Sequence, residues 1–108
     1  MHLKQQSNGY RPMLPGIVMR SLAYGERTLM VEFHLAQGAE IPMHSHPHEQ
    51  TGYLVSGHVT FLIDTDEIDT TPGDSWCFTA DVRHGVRVLE DSVIIEVFSP
   101  VREEYLSP

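Results

Sequence analysis

No segment of this chain sustains a helical period, and each apolar run is cut short by turn-forming residues. Eight glycines and seven prolines punctuate the 108 residues. Between them apolar and polar side chains alternate with the two-residue period of a strand. From Thr28 to Leu35, the residues Leu29, Val31, Phe33 and Leu35 share one face, and Met30, Glu32 and His34 the other. Gly52-Tyr53-Leu54-Val55 and the alternating set Val59, Phe61 and Ile63 follow, with a turn expected at Ser56-Gly57. Asp64-Thr65-Asp66-Glu67 reads as a hairpin tip, and Pro72-Gly73-Asp74 as a turn into Ser75-Trp76-Cys77-Phe78. The last strands are expected at Gly85 to Leu89 and Ser92 to Phe98, joined by Glu90-Asp91, with one helical turn in the tail Val101 to Leu106. Eight or so short strands in one open sheet would leave apolar faces and strand edges exposed. An all-β double-sheet jelly roll or closed barrel removes both problems and is the predicted architecture.

A chain of this length has room for one modest core, so a single domain over residues 1–108 is expected. Fifteen acidic against seven basic residues give a formal charge of −8. That field repels a phosphate backbone, and no Lys/Arg stripe overrules it, so nucleic acid is not an expected partner. A small anionic ligand is compatible with it, because a bound dication and one arginine would dominate locally. No apolar run reaches membrane-spanning length, and Met1-His2-Leu3-Lys4-Gln5-Gln6 lacks the regions of a signal peptide. No membrane association and a cytoplasmic location are the resulting expectations. Cys77 is the only cysteine, which fits a reducing compartment.

The densest chemistry lies in Pro42-Met43-His44-Ser45-His46-Pro47-His48-Glu49-Gln50. His44 and His46 are two apart, so on a strand both imidazoles point to one side, as a transition-metal site requires. An isolated His-x-His pair is weak evidence, since a histidine-rich surface loop looks the same.

The surrounding spacing makes the stronger case. Gly38, five residues, His44-x-His46, three residues, Gln50, six residues and Gly57 resemble the first cupin motif in full, with Gln where that family most often has Glu. Fifteen residues separate Gly57 from Gly73, and His84 then stands at the ligand position of the second cupin motif. The Pro, Gly and Asn usual in that second motif fall on Thr79, Asp81 and Val88. Further segments sharpen the likeness: His44 through Tyr53, Pro72-Gly73-Asp74-Ser75-Trp76, His84-Gly85-Val86, Glu96-Val97-Phe98-Ser99-Pro100 and Arg102-Glu103-Glu104-Tyr105-Leu106. Together they resemble the pectin-degradation (KdgF-like) cupins from about Pro15 to Leu106, the tail being the most specific part.

The resemblance implies a cupin double-stranded β-helix, with its barrel over roughly 15–100 and a tail at 101–108. It implies one divalent transition metal (Ni, Zn, Mn or Fe) held by His44, His46, Gln50 and His84. It also implies ring opening and ketonisation of 4,5-unsaturated uronates from pectin or alginate breakdown. Glu96, Phe98 and Arg102 align with that family's catalytic and substrate contacts, although the family usually has Asp where Glu96 stands. A homodimer is a further implication. Three imidazoles and a neutral carboxamide would leave the full 2+ charge on the ion, which favours anion binding and Lewis-acid work. Competing readings are an Fe(II) dioxygenase, disfavoured by Gln in place of Glu, and a sugar-binding cupin without turnover.

Strand parity puts Glu96 and Phe98 on one face of the last strand, opposite Val93, Ile95 and Val97. Glu96 then faces either solvent or the metal cavity, and a carboxylate within an apolar strand is costly unless paired or used. Arg102 is either suited to gripping a substrate carboxylate in a bidentate fork or a solvated surface charge, and Phe98 is either a cavity wall or plain core. His48 is expected beside the ligands or exposed, His34 and His58 as wall residues, and Arg20 with Tyr24 as candidates for the cavity mouth. Trp76 and Tyr53 are expected in the core, and Cys77 near it.

Overall fold

The computed structural model describes residues 1–106. Eight strands form in chain order: β1 Arg11–Leu14, β2 Ile17–Tyr24, β3 Leu29–Leu35, β4 Glu40–His44, β5 Glu49–Ile63, β6 Asp66–Thr70, β7 Ser75–Phe78 and β8 His84–Ser99. A 3-10 turn at Glu103–Tyr105 follows, within the tail segment expected to coil. The Leu29–Leu35 alternation is realised, with the odd-numbered residues buried and the even-numbered ones outward. The turns at Asp64-Thr65 and Pro72-Gly73-Asp74 separate β5, β6 and β7 as the sequence suggests.

Two boundaries differ from expectation. Ser56-Gly57 does not end a strand, and Glu90-Asp91 does not join two; β5 and β8 run through as single long strands. Both places are corners. The first half of β5 pairs with β7 and with the last half of β8, which in turn pairs with β3. The second half of β5 pairs with β6 and with the first half of β8, which pairs with β4. The two long strands therefore pass from one sheet into the other, and β1 and β2 extend the first sheet beyond β3.

At the corner the inward-facing set of β5 changes from Gln50, Gly52 and Leu54 to Val59 and Phe61, with Val55 and Ser56 both outward. That slip needs a bulge, and the register shifts there. Gly57 has φ +98, and a Cβ built on it would lie 2.1 Å from Ser92 Oγ and 2.4 Å from the Asp91 carbonyl oxygen. Ser92 Oγ accepts from the His58 N–H at 3.0 Å and donates to the Glu90 carbonyl at 2.7 Å, stitching the two corners together. Turn chemistry and corner chemistry call for the same residues, so sequence alone confuses them.

The space between the sheets is filled from both sides. Ile17, Met19, Leu29, Val31, Phe33, Leu54, Ile94 and Phe98 come from the first sheet, and Val59, Phe61, Val86 and Val88 from the second. Phe61 packs edge-on to Phe78 at 5.4 Å between centroids, across the gap. Trp76 lies against this core, as expected, but Tyr53 is half exposed and Cys77 exposed, because both fall on the outward parity of β5 and β7. Among the described residues no helix is long and apolar enough to cross a membrane.

Candidate metal centre

The filled core leaves one end of the barrel open. A cavity of about 330 Å³ enters there, within the usual range for small ligands, and His44, Gln50, His84, Glu96, Phe98 and Arg102 line it. His44 closes β4 and His84 opens β8, where the two strands pair directly, so their imidazoles meet at 4.3 Å between centroids. His46 follows β4 in the loop to β5, with its ring 5.6 Å from His44 and 5.1 Å from His84. A ring nitrogen from each histidine falls within 4.8 Å of the others.

The hydrogen bonds give each ring a direction. His44 Nδ1 donates to the Pro42 carbonyl, His46 Nδ1 to that of His48 and His84 Nδ1 to that of Val82, each at 2.9 Å. With Nδ1 carrying the proton, Nε2 carries the lone pair, the arrangement found in metal-ligating histidines. Among the described residues, His46 Nε2 and Gln50 Oε1 are both buried with no hydrogen-bond partner of good geometry. A buried acceptor without a donor is costly, and a cation between these atoms would satisfy both. Burial holds His46 below its ordinary pKa, and the Arg102 charge adds to the effect. Burial likewise drives His84 down to about 4, so neutral lone pairs are available at neutral pH. The residues present fit a divalent transition ion: three neutral imidazoles and one carboxamide oxygen.

Gln50 and Glu96 are neighbours on this wall. Gln50 Nε2 donates to Glu96 Oε2 at 2.5 Å, and the Trp76 indole N–H donates to the same oxygen at 3.0 Å. Burial raises the Glu96 pKa, and these bonds together with the Arg102 charge only partly oppose it. Of the two orientations left open by strand parity, Glu96 takes the inward one, in line with Ile94 and Phe98. Val93, Ile95 and Val97 lie on the outer face and are only partly covered.

Phe98 is buried at the cavity floor, and the tail folds over it. The Arg102 guanidinium sits 5.4 Å from the Phe98 ring and 4.4 Å from that of Tyr105, and Nε donates to Glu104 at 2.5 Å. Ser21 Oγ donates to the Tyr105 carbonyl at 2.5 Å and Arg11 donates to that of Glu104 at 3.0 Å, which holds the tail against β1 and β2.

Other expected residues lie elsewhere. Arg20 and Tyr24 are not at the cavity mouth: Arg20 faces outward on β2, donating to Glu32 at 3.1 Å and to backbone carbonyls of Gln6 and Asn8, and Tyr24 is exposed. His34 and Tyr10 bind the same carboxylate, at 2.5 and 2.6 Å. His58 pairs with Asp69 at 2.5 Å, far along β5 from the cavity. His48 is partly buried and contributes its carbonyl to the orientation of His46. Sequence reasoning missed the contact of Trp76 with Glu96, since only the strand register brings them together, and it missed Tyr105 as a cavity wall.

Residues 31–99 match the Cupin domain family, Cupin_2. The pectin degradation protein KdgF of Dickeya dadantii (strain 3937) is 32% identical over 93 residues, which span 84% of this chain and 84% of that protein. The solved structure of KdgF from Halomonas sp. superposes with a TM-score of 0.90 at 27% identity, covering 96% of this chain and 98% of that one. An RmlC-like cupin from Shewanella frigidimarina also gives 0.90, at 26% identity, covering 96% and 94% of the two chains. The chain belongs to the cupin family, in the group of the pectin degradation protein KdgF.

Proposed function

We propose that this cupin is a metal-dependent isomerase that opens and ketonises 4,5-unsaturated uronate monosaccharides released from pectin or alginate. The observation that carries the reading is the pair of buried, unpartnered atoms His46 Nε2 and Gln50 Oε1 beside a cavity that also holds a carboxylate and an arginine. His44, His46, His84 and Gln50 would hold the ion. A bound dication supplies Lewis-acid stabilisation of the negative charge that develops on the sugar oxygen at C5.

The chain's own side chains supply the rest. Among the described residues the Arg102 guanidinium hydrogen-bonds to Glu104, whose side chain is 60% exposed, so exchanging that partner for a substrate carboxylate costs little. Phe98 is an apolar part of the cavity wall and carries the Arg102 guanidinium over its ring. Glu96 stands within the cavity wall with its pKa raised by burial, a suitable carrier for the proton delivered to C4. Both protein donors use its Oε2, so Oε1 is not needed to hold the side chain.

The test is the decay of the enol absorbance when metal-analysed protein meets lyase-derived unsaturated uronate. Faster decay than with His46→Ala is expected. Equal decay with the two proteins would rule out the isomerase.

A further inference from the structure

Each histidine of the centre has its ring fixed by a backbone carbonyl, but Gln50 has no such anchor. An amide can present oxygen or nitrogen with little change of shape. Only the oxygen can accept a cation; a flipped amide would aim two N–H groups at it. What decides the orientation here is Glu96, which takes the Gln50 N–H at Oε2 and so leaves Oε1 on the other side, buried and unpartnered. Glu96 is itself fixed by the indole N–H of Trp76 on that same oxygen.

That second bond exists because residue 52 has no side chain. Gly52 is paired with Trp76 on one side and with Glu96 on the other. A Cβ built on Gly52 would lie 2.3 Å from the indole ring. Trp76 crosses the strand through the space that a side chain would fill.

Building on the reading of the metal centre, we propose that Trp76, Gly52 and Glu96 are positioning residues that lock the Gln50 carboxamide with its oxygen toward the three histidines. The role asks only that residue 96 be a hydrogen-bond acceptor. It is therefore separable from proton delivery by the same side chain, which asks for a carboxyl group.

Calorimetric titration of Ni²⁺ into chelator-treated protein separates the two roles. Glu96→Gln keeps an acceptor oxygen, so its affinity stays within about threefold of wild type while uronate turnover is lost. Glu96→Leu removes the acceptor and weakens Ni²⁺ by about 10–100-fold, the usual cost of losing an outer partner of a ligand. Trp76→Phe falls between them. Wild-type affinity in Glu96→Leu, or equal losses in the Gln and Leu variants, would overturn the proposal. A wild-type protein that takes up no Ni²⁺ would overturn both this proposal and the reading it rests on.

A second measurement needs neither a metal nor a variant of Glu96. In the metal-free protein, the Gln50 side-chain amide, identified by its loss in Gln50→Met, has one N–H shifted downfield and protected from exchange. The indole N–H of Trp76, the only tryptophan, is protected too. A Gln50 amide pair that exchanges freely would contradict the lock.

Discussion

His44 and His84 face each other as directly paired residues of β4 and β8, 4.3 Å apart between ring centroids. Register thus brings together two imidazoles far apart in sequence, and His46 completes the group from the loop that follows. Replacing one of them removes a ligand, and at His84 it also removes the ring stacked on Phe78 at 4.5 Å. His84→Ala is expected to keep the fold and to lose Ni²⁺ by more than the roughly 100-fold that an outer-partner loss can cost. Metal content after dialysis, read beside the circular dichroism spectrum, checks this.

Gln50 leaves the donor set uncharged. Gln50→Glu would lower the charge of the loaded site and set a second carboxyl group against Glu96, which now receives the amide N–H. With metal fully loaded, uronate affinity should drop by about tenfold or more, each tenfold being roughly 1.4 kcal/mol. An unchanged dissociation constant at full occupancy would show that the neutral amide has no part in anion binding.

Gly52 and Trp76 share one space. In Gly52→Ala the new methyl group displaces the indole, with an overpacking cost of about 1–3 kcal/mol. The expected signature is a red-shifted emission of the single tryptophan together with a lower melting temperature. Unaltered emission would mean that the ring does not cross the strand there.

Gly57 serves the fold rather than the site. Its positive φ and the contact with Ser92 and Asp91 make Gly57→Ala strained twice over. A loss of about 1–3 kcal/mol or more in urea unfolding is expected. Gly38 also has a positive φ but meets open space, so Gly38→Ala pays the backbone cost alone and should be the milder change.

Glu32 carries a pH dependence outside the cavity. Burial pushes its carboxyl up, but hydrogen bonds from Tyr10, His34 and Arg20, with the Arg20 charge, leave it below its ordinary value. A carboxylate lowered on folding contributes stability above its unfolded value near 4.5, and this is lost as pH falls through the folded value. Glu32→Gln should therefore cost about 1–3 kcal/mol at pH 7, with the gap to wild type closing below pH 4.5. A constant gap across that range would contradict the assignment.

Much of the architecture is legible in the sequence because it follows from alternation. Leu29 to Leu35 shows its buried face directly, and Glu96 and Phe98 share their parity with inward-facing Ile94. The corners were not legible, since Ser56-Gly57 and Glu90-Asp91 carry residues that end strands as readily as they bend them. Spacing pointed to His44, His46, Gln50 and His84, but only register reveals that Trp76 reaches Glu96 over Gly52. The sequence leaves Arg20 undecided for a related reason. Its parity on β2 turns it to the outer face, and nothing local distinguishes that face from the cavity side.

The central claim is a single cation shared by three imidazoles and one amide oxygen. Anomalous difference maps from crystals grown with Zn²⁺ test it most directly. The account predicts one peak at about 2.0–2.2 Å from Nε2 of His44, His46 and His84 and from Oε1 of Gln50. An empty site at full Zn²⁺ exposure, or an ion bound by the histidines with Gln50 turned away, would contradict it.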